Sequence, residues 1–332
     1  MAPSSDRSPL PVRGLANLAV VYVVWGSTYL AIRLAVREGA GFPPFALGAF
    51  RVLIAGGLLL GWAALRGVRV RLTRPEWITL AIAGLLMWPG ANGLINWAEQ
   101  RADSSYAALL VGSVPIWAAV IEAVLDRRRP SWRLVLPLLV GFAGLGLLTA
   151  PRLAVAGGAD ALTILTLLIA PITWAVGSIL QLRRPVGVSP LVGSAYLHLF
   201  GGIGFVALFL LDREPLPTPS PEAWGALGYL IVAGSILSFT SFIRSLRLLP
   251  TSVAMTYAYV NPAIAVILGW LILKEPLTPP ILGGMALVLL GVWGVFREKY
   301  GGQRAKLPSR PPEEPTGVTR RLRRPSRRRR GP

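Results

Sequence analysis

With 332 residues, 53% hydrophobic side chains and a mean hydropathy of +0.57, the chain is too apolar for a soluble domain. Its formal charge of +19 would on a soluble chain suggest a nucleic-acid partner, but thirteen Lys and Arg cluster between Arg297 and Pro332 against only Glu298, Glu313 and Glu314. That stretch is rich in Pro and Gly and poor in large apolar residues, so residues 298–332 are expected to form a disordered Arg-rich cytoplasmic tail. The tail reads as a solvated topology anchor able to touch anionic membrane lipid; no nucleic acid is expected. Cysteine is absent, which excludes disulfides and thiolate metal sites.

A helix needs about 20 apolar residues to cross a hydrocarbon core of roughly 30 Å. After a polar lead over residues 1–14, the run from Leu15 is too long for a signal-peptide core and is read as an uncleaved first span. Ten spans follow in chain order: 15–35, 43–65, 76–97, 105–125, 132–150, 161–181, 189–210, 223–243, 251–273 and 279–297. The chain is therefore expected to be an all-α integral membrane protein of ten transmembrane helices. With the N-terminus inside, the inner connections carry the Arg66–Arg74 and Arg127–Arg133 clusters together with Arg183, Arg184, Arg244 and Arg247. The outer ones carry only Arg37, Arg101, Arg152, Arg213 and Lys274. The excess of inner Arg places both termini in the cytoplasm.

The first span, "VVWGSTYLAIRLA", holds Trp25, Gly26, Ser27 and Thr28 at its centre and Arg33 toward its outer end. Small residues let helices approach, hydroxyls bond a neighbouring helix or a solute, and Trp25 offers a flat face to an organic molecule. Arg33 can snorkel to the interface. Arg51 lies eight residues into the second span, roughly 10 Å below the interface at about 1.5 Å rise per residue. An ionisable group at such depth faces the bundle interior, serving either a solute or a structural pair with a helix-end carbonyl or Glu99. In the third span, Asn92 and Asn96 share a face one turn apart after the Pro89-Gly90 break, with Trp97 beside them; interhelical hydrogen bonds and solute contact are both open to them. Pro115 of the fourth span and Pro262 of the ninth fall near mid-span, where a missing donor kinks a helix and suits either a gate or a simple packing kink. Tyr257, Tyr259 and Asn261, with Ser235 and Ser238, supply polar groups from the later spans.

The chain resembles itself. Pro75-Glu76-Trp77 opens the third span as Pro221-Glu222-Ala223-Trp224 opens the eighth, and Ser105, Ala107 and Pro115 precede Ser252, Ala254 and Pro262 by a constant 147 residues. Two units of five spans follow, covering residues 15–150 and 151–297. Five is odd, so the second unit enters from the opposite face, the inverted-repeat pattern of secondary transporters with a midplane site.

"WGSTYLAIRLA", "FALGAFRVLIAGGLLL", "GANGLINWAEQRADSSYAALLVGSVPIW" and "LGWLILKEPLTPPILGGMALVLLGVW" recur in an order that resembles the EamA-type, ten-helix branch of the drug/metabolite transporter superfamily, over about residues 15–297. The resemblance implies two EamA repeats, a bacterial inner membrane, and export of a metabolite, amino acid or toxic organic compound. It maps the family's tryptophan-glycine-serine start to Trp25, Gly26 and Ser27, its second-helix arginine to Arg51, its asparagine-rich third helix to Asn92, Asn96 and Trp97, and its lysine-glutamate-proline turn to Lys274, Glu275 and Pro276. The Arg-rich tail is no part of that pattern. Nor is the first-span glutamate of the four-helix multidrug members present, so no buried proton-carrying carboxylate is visible, although a proton remains compatible as coupling ion. An Arg-lined cavity favours an anionic or zwitterionic solute bearing a carboxylate. No cofactor or metal is called for, and a homodimer is compatible with the sequence. A channel or non-transporting receptor is the alternative, less favoured for want of a carbonyl-filter motif. An intramembrane enzyme would have to rest on His198 and Ser194, without GxSxG or HExxH.

Overall fold

The computed structural model describes residues 11–36, 39–98, 109–153, 161–184, 186–273 and 277–300. Glu99, Ser105, Ala107, the Lys274-Glu275-Pro276 turn and the tail beyond Tyr300 lie outside the described residues, as does the side chain of Arg33. All regular structure among the described residues is helical. In chain order the helices are α1 (Val12–Val36), α2 (Pro44–Leu65), α3 (Arg74–Ala98), α4 (Leu109–Leu125) and α5 (Trp132–Leu153). Then come α6 (Ala161–Arg183), α7 (Pro190–Leu211), α8 (Pro221–Leu248), α9 in two pieces (Thr251–Ala254 and Tyr257–Leu273) and α10 (Pro279–Tyr300). Eight helices among the described residues are long and apolar enough to cross a bilayer; α4 is shorter in its described part.

The starts follow from local chemistry. Proline, whose missing N–H would be unpaired anyway, sits in the first turn of α2, α3, α7 and α8. Ser189 and Ser220 accept from the backbone N–H groups of Val192 (3.3 Å) and Ala223 (3.2 Å). Glu76 reaches back to the Thr73 N–H at 2.8 Å, one half of a capping box. Its other oxygen accepts from Gly187 N at 2.8 Å, tying α3 to the α6–α7 loop. At the opposite end of the bundle Glu214 does the corresponding work, accepting from Phe45 N and Ala46 N, both at 2.9 Å, at the start of α2.

Helix pairing has an internal order. Exchanging α1 with α6, α2 with α7, α3 with α8, α4 with α9 and α5 with α10 maps the main contacts onto themselves. Thus α1 packs on α8 as α6 packs on α3, and α1 on α9 as α6 on α4; α2 packs on α7 and α5 on α10, pairs that the exchange returns to themselves. Both α3 and α8 pass through a π-helical stretch at corresponding places, Trp88–Gly93 and Leu230–Phe239. Bulky side chains such as Leu58, Leu85, Ile203, Leu289 and Trp293 point outward, an apolar exterior that suits lipid and not water.

The α5–α10 pair is held by a seam of glycine. A Cβ on Gly284 would lie 2.4 Å from Leu148 N, and one on Gly291 2.6 Å from Gly141 Cα. Backbones this close gain dispersion contacts that lipid cannot replace. Gly284→Ala should therefore destabilise the detergent-solubilised protein by about 1–3 kcal/mol through overpacking. Gly57, whose Cβ would meet nothing within 4 Å, serves as the control: Gly57→Ala should be neutral or stabilising by up to about 1 kcal/mol. Thermal unfolding of the two variants reads the difference in sign.

Candidate functional site

The two π stretches shape the centre of the bundle. A π turn inserts one residue and leaves carbonyls without their usual partner, which in a bilayer must be satisfied from elsewhere in the protein. In α8, the Gly234 carbonyl accepts from the Trp25 indole Nε1 of α1 at 3.0 Å. In α3, the Gly90 carbonyl accepts from Thr173 Oγ1 of α6 at 2.7 Å, and the Met87 carbonyl accepts from Asn92 Nδ2 at 3.0 Å. Each π stretch is thus completed by a helix of the other five-helix unit.

Beside the π stretch of α3, whose Trp88, Ala91 and Asn92 line it, lies a cavity of about 110 Å³, room for roughly eight water-sized positions. Of the residues singled out in the sequence, Trp25, Thr28, Arg51, Asn92 and Asn96 line it from α1, α2 and α3, and Tyr257 and Asn261 from α9. Arg51 is 8% exposed. Its Nε donates to Ser235 Oγ at 2.8 Å, and its Cζ lies 5.3 Å from the Trp88 ring centroid, a cation–π contact. Asn96 Nδ2 donates to Pro44 O at 3.3 Å. Asn261, with its amide nitrogen turned toward α1, reaches Tyr257 O at 3.1 Å and Tyr22 O at 3.3 Å. Trp25 anchors the aromatic wall, edge-on to Tyr257 at 4.9 Å and to Trp174 at 5.7 Å between centroids.

Two expected residues stand elsewhere. Ser27 sits on another face of α1, its Oγ 2.5 Å from Tyr229 OH and 2.8 Å from Val24 O. Trp97 packs with Ala98, Leu110 and Leu167, and is not among the lining residues. The prolines fall in interrupted helices: Pro115 follows a break at residues 112–113 of α4, and Pro262 lies inside α9 beyond the break at 255–256. Trp88 and Trp174 line the cavity and were not named as site residues. Trp174 had a signal, its match to Trp25 in the repeat; Trp88 opens the π stretch, which no local propensity announces. Ile32, Ile95, Val111 and Pro171 complete the apolar wall.

His198 is fully buried against Trp88 and Phe239, with ring centroids 4.8 and 4.6 Å away. Its Nδ1 is 2.7 Å from the Ser194 carbonyl, while Ser194 Oγ has no partner among the described residues. The serine hydroxyl and the imidazole are therefore not joined as a nucleophile–base pair would be. No group of three His, Cys, Asp or Glu able to hold a metal occurs among the described residues.

A ten-helix membrane bundle with a mixed polar and aromatic cavity where its two five-helix units meet has the build of a solute carrier. The chain belongs to the EamA-like transporter family, whose pattern it matches twice, over residues 12–150 and 161–297. It is 32% identical over 266 residues to YedA, an inner membrane transporter of Escherichia coli strain K12, covering 79% of this chain and 83% of that one. It is 24% identical over 292 residues to the S-adenosylmethionine/S-adenosylhomocysteine transporter of Chlamydia trachomatis, covering 83% of this chain and 87% of that protein. A solved crystal structure superposes with a TM-score of 0.74 at 21% identity, covering 89% of this chain and 99% of the other, a likeness of fold.

The cross-unit bonds should be felt in stability. Thr173→Val is isosteric and strips the Gly90 carbonyl of its side-chain donor; Trp25→Phe does the same for Gly234. Each should cost about 1–3 kcal/mol, the penalty of a buried unsatisfied group, read as a lowered unfolding temperature of the purified protein with retained helical circular dichroism.

Proposed function

We propose that the chain is a secondary transporter that exports a small organic solute across a bacterial inner membrane by alternating access, with the central cavity as its solute site. The observation that carries this reading is the cavity between the two units, where seven of the nine solute-contact residues expected from sequence converge. The exchange relation among the helix pairs supports two inverted repeats, residues 15–150 and 151–297, because an odd number of crossings in each unit reverses the second. Such symmetry supplies two conformations of similar energy, one open to each side. The broken helices α4 and α9, carrying Pro115 and Pro262, are the gating elements of this scheme. The excess of Arg in the inner connections supports cytoplasmic termini, and the family relation to YedA supports the inner membrane. Transport, not bond chemistry, is the work such a site performs; the surrounding lipid and the solute are its partners.

Untargeted metabolomics of spent medium tests the reading. A pool that rises with expression level and falls on deletion identifies the solute; saturable exchange of that solute by the purified chain in proteoliposomes, without conductance in a planar bilayer, is the expected result. Arg51→Leu should leave the protein inserted and lower exchange by about tenfold or more, the scale of losing a charge-assisted contact. Non-saturating flux accompanied by single-channel conductance would replace the carrier with a channel.

A further inference from the structure

The geometry points to an amphipathic organic carboxylate, with an aryl or branched hydrocarbon body and no ammonium group, as the class of solute the cavity takes. This rests on the carrier reading and narrows it. Arg51 is buried, and one of its N–H groups goes to Ser235 Oγ at 2.8 Å. A guanidinium has five such donors. The ion pairs among the described residues are Arg69–Glu76 and Arg183–Asp126, neither of which involves it. A buried cation without an anion is expensive in a low-dielectric site, and a planar carboxylate, which can bond a guanidinium through two parallel N–H groups, is the ligand that offsets the cost best.

The rest of the wall agrees. Among the described lining residues none is Asp or Glu, so an ammonium entering beside Arg51 would find like charge and no carboxylate. Trp88 and Trp174 line the cavity, and an indole carries an N–H donor and no acceptor that could bond an ammonium. Asn92 and Asn96 spend an amide N–H on Met87 O and Pro44 O. In the same cavity, Trp25 meets Tyr257 and Trp174 edge to face at 4.9 and 5.7 Å, surfaces suited to an apolar or aromatic body. Phenylacetate joins such a body to a carboxylate and serves as the probe of the class.

The test uses the full chain purified in non-ionic detergent and three probes of like shape: phenylacetate, phenethylamine and phenylglycine. Tryptophan fluorescence should titrate with phenylacetate and report binding about tenfold or more tighter than for the cation or the zwitterion, since about 1.4 kcal/mol separates each factor of ten. Arg51→Gln should erase that preference, weakening phenylacetate about tenfold while leaving phenethylamine unchanged or improved. Ser235→Ala, which keeps the guanidinium, should change phenylacetate affinity less than about threefold and guards against a folding artefact in the first variant. Phenethylamine binding as tightly as phenylacetate, an unchanged phenylacetate affinity in Arg51→Gln, or no phenylacetate binding at all each overturns the class. An Asn92→Cys variant separates this failure from failure of the carrier reading. Protection of its thiol from maleimide by phenethylamine and not by phenylacetate discards the carboxylate and keeps the cavity as the solute site.

Discussion

Hydrogen bonding of backbone carbonyls in a medium without water is the constraint on which the centre of this protein depends. Two helices, α3 and α8, loosen into π turns at mid-span, and the bilayer offers nothing to repair them. The repairs come from the partner unit, Thr173 for Gly90 and Trp25 for Gly234. These two donors belong to the other five-helix unit, so each π stretch draws on its partner unit, while Asn92 of α3 also satisfies the Met87 carbonyl within its own helix. The cavity lies beside the α3 turn, lined by its Trp88, Ala91 and Asn92 and by Trp25, the donor that repairs α8.

Electrostatics then sorts what that space can hold. Arg51 stands buried at the cavity wall, supported by a hydroxyl and by the face of Trp88 rather than by a described carboxylate. A cation–π contact and one neutral hydrogen bond supply a few kcal/mol at most, less than the several kcal/mol that desolvating an ion costs. The difference is a standing bias toward an anion, and it falls beside the aromatic wall. Affinity for charge and affinity for hydrocarbon are therefore arranged side by side, a few ångströms apart, in one small volume.

The architecture was legible because it depends on coarse quantities: length of apolar runs and a repeat of constant offset. The lining was legible where a residue type is costly at its depth, as with Arg51, Asn92, Asn96 and Asn261. It was not legible where direction around a helix decides. Ser27 and Thr28 are adjacent and chemically alike, yet about 100° of rotation per residue turns Thr28 to the cavity and Ser27 to Tyr229. Trp97 follows Asn96 and is turned away in the same manner. Trp88 eluded the reading although it lies four residues before Asn92 on the face that Asn92 and Asn96 share, because an aromatic side chain at that depth carries no cost that marks it. Glu214 had no signal either, since its partners Phe45 and Ala46 are distant in sequence and offer only backbone N–H groups.

The symmetry of the scaffold is not carried into the site. Under the exchange of units, α1 corresponds to α6 and α4 to α9, and Trp25 finds its counterpart in Trp174. The polar lining is not repeated: Thr28, Arg51, Asn92 and Asn96 come from the first unit, and at the 147-residue offset Arg51 answers to His198, which does not line the cavity, and Asn261 to the apolar Val114. Helix packing constrains the backbone to two related arrangements, whereas a solute sees side chains, which are free to diverge once the packing is satisfied. In the carrier proposed above, a pseudo-symmetric frame would keep the two conformations comparable in energy, while an asymmetric interior would hold a carboxylate with its charged end toward Arg51 of α2.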